Sequence, residues 1–263
     1  MPNERPRGKV QYDNTDRIVI VTGGCSGIGL AICDRFCESS ATVVCFDVDD
    51  SGIDRLPTGA HFEQVDTANE TQCHDAVART VEKFGAIDVL VNNAAIQPVA
   101  AYKPIHEIPT SVWEEMVGIN LTGYTNMAKQ VLPTMLVQKS GVIVNMASGQ
   151  GHRTARQVGV YGPIKAANIM QSRQWGIEYA RDGIRVVSVS PGAIETPLVL
   201  ASLEAQGGRA NLENRHPIGR IGTPDEVAHC VLWLASEHAS FITATDLEVD
   251  GGLGAFGSFA DPY

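Results

Sequence analysis

The chain has 263 residues, 44% hydrophobic and 19% charged, with 30 acidic against 20 basic side chains and a formal net charge of −10. With that balance, no basic run and no interleaving of basic with aromatic residues, a nucleic-acid or anionic-membrane partner is excluded. No stretch reaches the roughly 18 uninterrupted apolar residues of a membrane span, and the opening MPNERPRGKVQYDNTD has no apolar signal core, so a soluble cytoplasmic protein is expected.

Residues 1–15 read as a polar N-terminal arm, and 16–263 as one domain, since no repeat or low-complexity linker divides them. From Arg17 the chain runs RIVIVTGGCSGIG: a buried strand, a turn holding Gly23, Gly24, Gly27 and Gly29, then a helix with Leu30, Ile32, Cys33, Phe36 and Cys37 at helical spacing. Strand, glycine turn and helix is the order of a pyrophosphate site, because the helix N-terminus supplies unpaired N–H groups and glycines let backbone approach phosphate. ATVVCFD is a second strand ending in Asp47. A carboxylate about 20 residues beyond such a turn meets the ribose hydroxyls of a dinucleotide and repels the 2′-phosphate of NADP, which favours NAD. A turn or cap role for Asp47 is the plainer alternative.

A third strand, HFEQVD, ends at Asp66, and a helix over 71–84 stops at Gly85. Strand 87–91 runs into Asn92 and Asn93, which suit hydrogen bonds to backbone and cofactor or simple turn chemistry. A helical pattern spans 110–137, interrupted by Gly118, Asn120 and Gly123. Strand 141–148 ends at Ser148. After a glycine-rich loop, a helix of about 20 residues starts near Tyr161, because Pro163 is tolerated only in a first turn. IRVVSVSPG is the sixth strand, 195–215 reads as a mobile excursion over the site, Thr223-Pro224-Asp225 opens a helix, and LEVDGG is the seventh strand. Strands alternating with helices predict an α/β fold: one doubly wound, seven-stranded parallel sheet of Rossmann type with helices on both faces. The six cysteines form no CxxC pair and the histidines no helical metal pair, so core thiols in a reduced compartment and no metal are expected.

Tyr161 and Lys165, four apart, share a helix face. A phenol has a pKa of about 10, and a fixed cation favours its phenolate. Ser148 can donate a hydrogen bond to the reacting oxygen and position the carbonyl carbon. Tyr161 then transfers a proton while a nicotinamide transfers a hydride.

In order, Thr22-Gly23-x-x-x-Gly27-x-Gly29, Asn92-Asn93-Ala94, Asn120, Ser148, Tyr161-x-x-x-Lys165 and Pro191-Gly192-x-x-x-Thr196 resemble the short-chain dehydrogenase/reductase family from about residue 16 to 253. The resemblance implies that Asn120, Ser148, Tyr161 and Lys165 are catalytic, with Lys165 also holding the nicotinamide ribose and Asn120 a water that relays protons to Lys165. It implies a cofactor site of Gly23, Ser26, Gly27, Ile28, Gly29, Asp47, Asp66, Asn93, Tyr161, Lys165, Pro191, Gly192, Ile194 and Thr196. It also implies a homotetramer built through the helices near 110–137 and 160–180 and the C-terminal strand. Two positions depart from the pattern: Ala95 where the family usually has glycine, and Gly162-Pro163 where small polar residues are common.

For the substrate, Gln97, Gln150, His152, Arg153 and Tyr161 are expected to line the pocket, which leans toward a small sugar, polyol or hydroxy acid. Solvent-facing roles for His152 and Arg153 remain the alternative. The aromatic tail, residues 256–263, is expected at a subunit interface or pocket rim. The leading expectation is an NAD-dependent oxidoreductase interconverting a secondary alcohol and a ketone. An acyl- or steroid-type ketone reductase and a non-catalytic dinucleotide-binding regulator compete with it.

Overall fold

Strand β1 (Ile18–Thr22) is buried along its whole length. Its side chains divide by the strand's period of two: Val19 and Val21 enter the core on one face of the sheet, Ile20 the core on the other. The computed structural model describes residue 8 and residues 10–203 and 207–256. It places beside β1 the strands β2 (Thr42–Asp47), β3 (His61–Gln64), β4 (Val89–Asn92), β5 (Gly141–Met146), β6 (Ile184–Pro191) and β7 (Asp246–Val249). The order is β3-β2-β1-β4-β5-β6-β7, all parallel. This is the doubly wound α/β sheet the alternation of elements predicts. Its winding reverses between β1 and β4, so a crevice opens at the carboxyl ends of these strands.

The helices are α1 (Gly27–Glu38), α2 (Glu70–Phe84), α3 (Thr110–Val117), α4 (Gly123–Gln138), α5 (Tyr161–Tyr179), α6 (Pro197–Ala201), α7 (Arg209–Asn214) and α8 (Pro224–Ala235). Ile32, Cys33 and Phe36 of α1 and Val227 and Val231 of α8 cover one face. Val77 of α2 and Met127, Val131 and Met135 of α4 cover the other, with Trp175 of α5. Cys25, Cys33, Cys45 and Cys73 are buried in these cores, as small apolar thiols.

The pattern over 110–137 is not one helix. A π turn, Gly118–Thr122, separates α3 from α4, and Asn120 sits in it fully buried. Widening one turn frees backbone groups from the regular ladder, which is why such turns gather at sites. Helix α5 does begin at Tyr161, with Pro163 in its first turn. It ends at Tyr179, and a short 3-10 turn, Ala180–Asp182, leads to Gly183. The excursion at 195–215 contains α6 and α7, with 204–206 outside the described residues. No helix is long and apolar enough to cross a membrane, among the described residues.

Candidate active site

The glycine turn is held by its neighbours. Thr22 Oγ1 accepts the N–H groups of Asn93 at 2.9 Å and Ala94 at 3.1 Å, while Asn93 Nδ2 donates to the carbonyls of Thr22 at 3.0 Å and Gly23 at 3.1 Å. Gly23 has φ +65°, and a Cβ there would lie 2.8 Å from Ala94 Cα. A Cβ on Gly29 would run into the Gly23 carbonyl, so α1 can approach the turn only without one. Asp47 accepts the N–H groups of Cys25 (2.9 Å, Oδ2) and Asp49 (3.1 Å, Oδ1), tying the end of β2 to the turn. Ser26 opens α1 without a side-chain capping bond, which leaves the first N–H groups of the helix and this hydroxyl to a ligand.

Gly23, Ser26, Gly27, Ile28 and Asp47 line a cavity of about 320 Å³. Asp66 and Asn93 join them from just beyond the ends of β3 and β4, and Pro191, Gly192, Ile194 and Thr196 line the same cavity at and after the end of β6. The structure thus brings together every cofactor residue expected from sequence except Gly29, which packs beneath the turn. A dinucleotide fits this donor set: an uncapped helix N-terminus, bare glycine backbone and a carboxylate at the next strand end.

Ser148, Tyr161 and Lys165 border the same cavity. Lys165 is only 1% exposed. Its Nζ donates to Met146 O at 2.7 Å and to Tyr124 Oη at 3.2 Å, and lies 5.4 Å from the centroid of the Tyr161 ring. Tyr124 Oη in turn donates to Met146 O at 3.1 Å. Burial pushes the Lys165 ammonium down to about 7. Burial also pushes the Tyr161 phenol up, with a smaller push from Tyr102, and raises Tyr124. Ser148 Oγ accepts the Gln150 N–H at 3.1 Å, so its own O–H is left to donate toward the cavity. An ammonium has three protons; the two on Met146 and Tyr124 leave the third for a ligand or the phenol.

Asn120 works differently from its neighbours. Its side chain pairs with both backbone groups of Ile96, Oδ1 accepting N–H and Nδ2 donating to the carbonyl, each at 2.8 Å. Its own carbonyl accepts from Asn168 Nδ2 at 3.1 Å. A buried chain continues from there: Ser172 Oγ donates to Asn168 O, Asn145 Nδ2 to Ser172 Oγ, and Asn92 Nδ2 to Asn145 Oδ1, each at 2.9 Å. These amides lock the π turn, α5, β5 and β4 together behind Lys165. Tyr124, Asn145, Asn168 and Ser172 escape the sequence reading, since each alone reads as ordinary helix or strand.

A second cavity of about 290 Å³ shares Ser148 and Tyr161 with the first. Gln97, Gln150 and Arg153 line it as expected. His152 does not: its Nε2 stands 2.7 Å from Asp246 Oδ2. Arg153 lies 3.6 Å from Glu248. The excursion supplies Leu198, Val199 and Ser202, and Tyr102 and His216 complete the wall. His216 is 2% exposed; its Nε2 accepts the Ala193 N–H at 3.1 Å and its Nδ1 donates to Leu212 O at 2.9 Å. That pairing ties α7 to the loop after β6. Only proximity in space shows these residues. The tail at 257–263 lies outside the described residues.

A family model described as Enoyl-(Acyl carrier protein) reductase matches residues 23–254. The chain is 37% identical over 246 residues to the cis-4-hydroxycyclohexanecarboxylate dehydrogenase of Sinomonas cyclohexanicum, spanning 91% of this chain and 97% of that one. The ligand-free aldohexose dehydrogenase of Thermoplasma acidophilum superposes with a TM-score of 0.89 at 32% identity, over 97% of this chain and 100% of that one. The 3-ketoacyl-(acyl-carrier-protein) reductase of Brucella melitensis complexed with NADH gives a TM-score of 0.84 at 30% identity, over 92% and 100%. With this fold, this match and these relatives, the chain belongs to the short-chain dehydrogenase/reductase family of oxidoreductases, which bind a nicotinamide dinucleotide.

Proposed function

We propose that this oxidoreductase uses NAD to interconvert a secondary alcohol and a ketone on a small polar molecule. The observation that carries this is the buried Lys165, fixed by Met146 O and Tyr124 Oη beside the Tyr161 ring, where the two cavities meet at Ser148. Gly23, Ser26, Gly27, Ile28 and Asp47 would hold a nicotinamide dinucleotide, which would supply hydride transfer to or from the carbinol carbon. Tyr161 takes the hydroxyl proton in oxidation and returns it in reduction. Ser148 donates a hydrogen bond to the same oxygen and holds the carbon in place. The Lys165 cation favours the phenolate and opposes the upward push of burial. Asn120 fixes the loop at Ile96, and the family resemblance gives it the further role of holding a water that relays protons to Lys165.

Asp47 supports NAD over NADP, because a 2′-phosphate at the end of β2 would meet a carboxylate. Polar side chains in the second cavity support a sugar, polyol or hydroxy acid over an acyl chain or steroid. The relatives' names, one a cyclic hydroxy acid and one an aldohexose dehydrogenase, support the same class. A homotetramer is supported by Met170 and Ile177 of α5, 58% and 73% exposed, an apolar face that association would cover.

The test is Tyr161→Phe, followed by NADH absorbance in a screen of secondary alcohols with NAD. Turnover is expected to fall by roughly 10²–10⁴-fold while NADH still binds. Turnover at the original rate would remove Tyr161 from the chemistry. A preference for NADPH would overturn the choice of NAD.

A further inference from the structure

Tyr124 lines neither cavity and is 1% exposed, so it stands behind the site. Its hydroxyl closes a triangle with two atoms of that site. Lys165 Nζ donates to Met146 O at 2.7 Å and to Tyr124 Oη at 3.2 Å, and Tyr124 Oη donates to Met146 O at 3.1 Å. A phenol has one proton to give. With that proton on Met146 O, the lone pairs of Tyr124 Oη are what the ammonium meets. The ring adds its face: Nζ lies 5.1 Å from the Tyr124 centroid and 5.4 Å from that of Tyr161. The titratable groups around Lys165 are phenols, Tyr124 on α4 and Tyr161 on α5, with Tyr102 beyond Tyr161. The π turn and β5 contribute no ionisable side chain. No carboxylate forms an ion pair with Lys165 among the described residues.

We propose that Tyr124 is a positioning residue that keeps Lys165 charged, its hydroxyl oxygen accepting from the ammonium on which the Tyr161 phenolate depends. This rests on the reading of Tyr161 and Lys165 as the proton-handling pair of an alcohol oxidoreductase. An ammonium withdrawn from water is costly unless its protons find acceptors, and a hydrogen bond to a charged group contributes more than one between neutral groups. Two acceptors meet Nζ here. Met146 O is backbone, whereas Tyr124 Oη is a side-chain atom that one substitution removes. Tyr124→Phe keeps the ring, its volume and its face toward Nζ, and deletes the acceptor alone. The bond stabilises the fold only while Lys165 is protonated. Deleting it should lower the folded-state pKa of Lys165 by about one unit, from the wild-type value of about 7. The unfolded value of 10.5 is common to both proteins, so the stability difference that the bond makes is largest at pH below both folded values. It is lost as pH rises through 7.

The test is urea unfolding of the wild type and of Tyr124→Phe, at one protein concentration, at about pH 5.5 and pH 9. The ratio of unfolding constants, variant over wild type, is expected to be at least about fivefold larger at the lower pH. An equal ratio at the two pH values gives Tyr124 a packing role only and overturns the proposal. In a Lys165→Met background the same substitution should show no such pH dependence. If the dependence persists there, another group causes it and the proposal falls. Turnover supplies a second readout: kcat for alcohol oxidation with NAD should fall by roughly tenfold in Tyr124→Phe, the rate equivalent of one pKa unit. Wild-type kcat in the variant overturns the role in the reaction. Unfolding requires no substrate, so the two readings fail separately. A pH-dependent gap in a protein that oxidises no alcohol supports the Tyr124–Lys165 pairing and ends the oxidoreductase reading, whereas a flat gap in an active enzyme ends the pairing alone.

Discussion

The two ends of the active-site crevice are built by opposite means. At the β1 end, polar groups are largely closed on one another: Thr22, Asn93 and Asp47 all bond the turn or the strand ends beside it, and glycine backbone faces the cavity together with Ser26 and Asp47. Beyond Ser148 the polar groups are less fully paired, and Gln97 and Gln150 each keep a buried polar atom without a partner among the described residues. On the proposed reading, the first end holds a cofactor by shape, by the N–H groups of a helix terminus and by Asp47, and the second holds a substrate by individual side chains. Backbone recognition suits a cofactor common to a whole family, whereas side-chain recognition can be rewritten one residue at a time without disturbing the fold.

Adding one methyl group to each end should expose this difference most sharply. In Gly29→Ala the new Cβ meets the Gly23 carbonyl, which cannot yield without moving the turn, so a loss of about 3 kcal/mol in urea unfolding is expected with loss of NADH binding. Gly149→Ala, on the substrate side, adds a Cβ whose nearest neighbour is Pro191 O at 3.5 Å, an ordinary contact, and should cost under about 1 kcal/mol. If the two losses match, the rigidity assigned to the β1 end is not real.

A second contrast concerns charge. Asp47→Asn keeps an oxygen for the Cys25 N–H and so should leave stability within about 1 kcal/mol. The carboxylate that opposes a 2′-phosphate is gone, and the ratio of kcat/KM for NAD over NADP should fall by about tenfold to a hundredfold, equivalent to about 1.4–2.8 kcal/mol. An unchanged ratio would reduce Asp47 to a brace for the turn.

The same division decides what could be read from the chain before its shape was known. The β1 end is local in sequence: strand, glycines and helix follow one another within 22 residues of Arg17, and the need for a missing Cβ at Gly29 is written as a glycine. Tyr161 and Lys165 are legible for the same reason, being one helical turn apart. Lys165's other partner, Tyr124, is 41 positions away, and His216 is 23 from Ala193, so only the folded sheet reveals them. Proximity in sequence also misleads. His152 lies only two positions beyond Gln150, yet it turns to Asp246 on β7. The broken helix at 110–137 shows a middle case. Gly118, Asn120 and Gly123 mark the place of the irregularity, but that it is a π turn depends on the bonds Asn120 makes to Ile96, which no local pattern encodes.

The smallest expected effect tests the element that serves both ends. Helix α8 packs on α1 beneath the glycine turn, while the residue just before its cap, Gly222, exchanges backbone bonds with Ala193 and Glu195, each at 2.9 Å, at the root of the excursion. Glu226 holds this start in place: it accepts the Thr223 N–H at 2.9 Å in a capping box and receives both Nη groups of Arg220, at 2.9 and 2.6 Å. The Arg220 guanidinium is the main reason the Glu226 carboxyl is pulled down to about 2. A folded-state value below the unfolded one of 4.5 means that the stabilisation is fully present above pH 4.5 and is lost as pH falls through 2. Because the two side chains are 45% and 43% exposed, solvent screening limits it to about 0.5–1 kcal/mol. Glu226→Gln should therefore unfold at slightly lower urea than the wild type at pH 7, and the gap should close as both are taken from pH 4.5 toward 2. A gap that persists at pH 2 would assign the effect to the lost cap geometry and not to the charge.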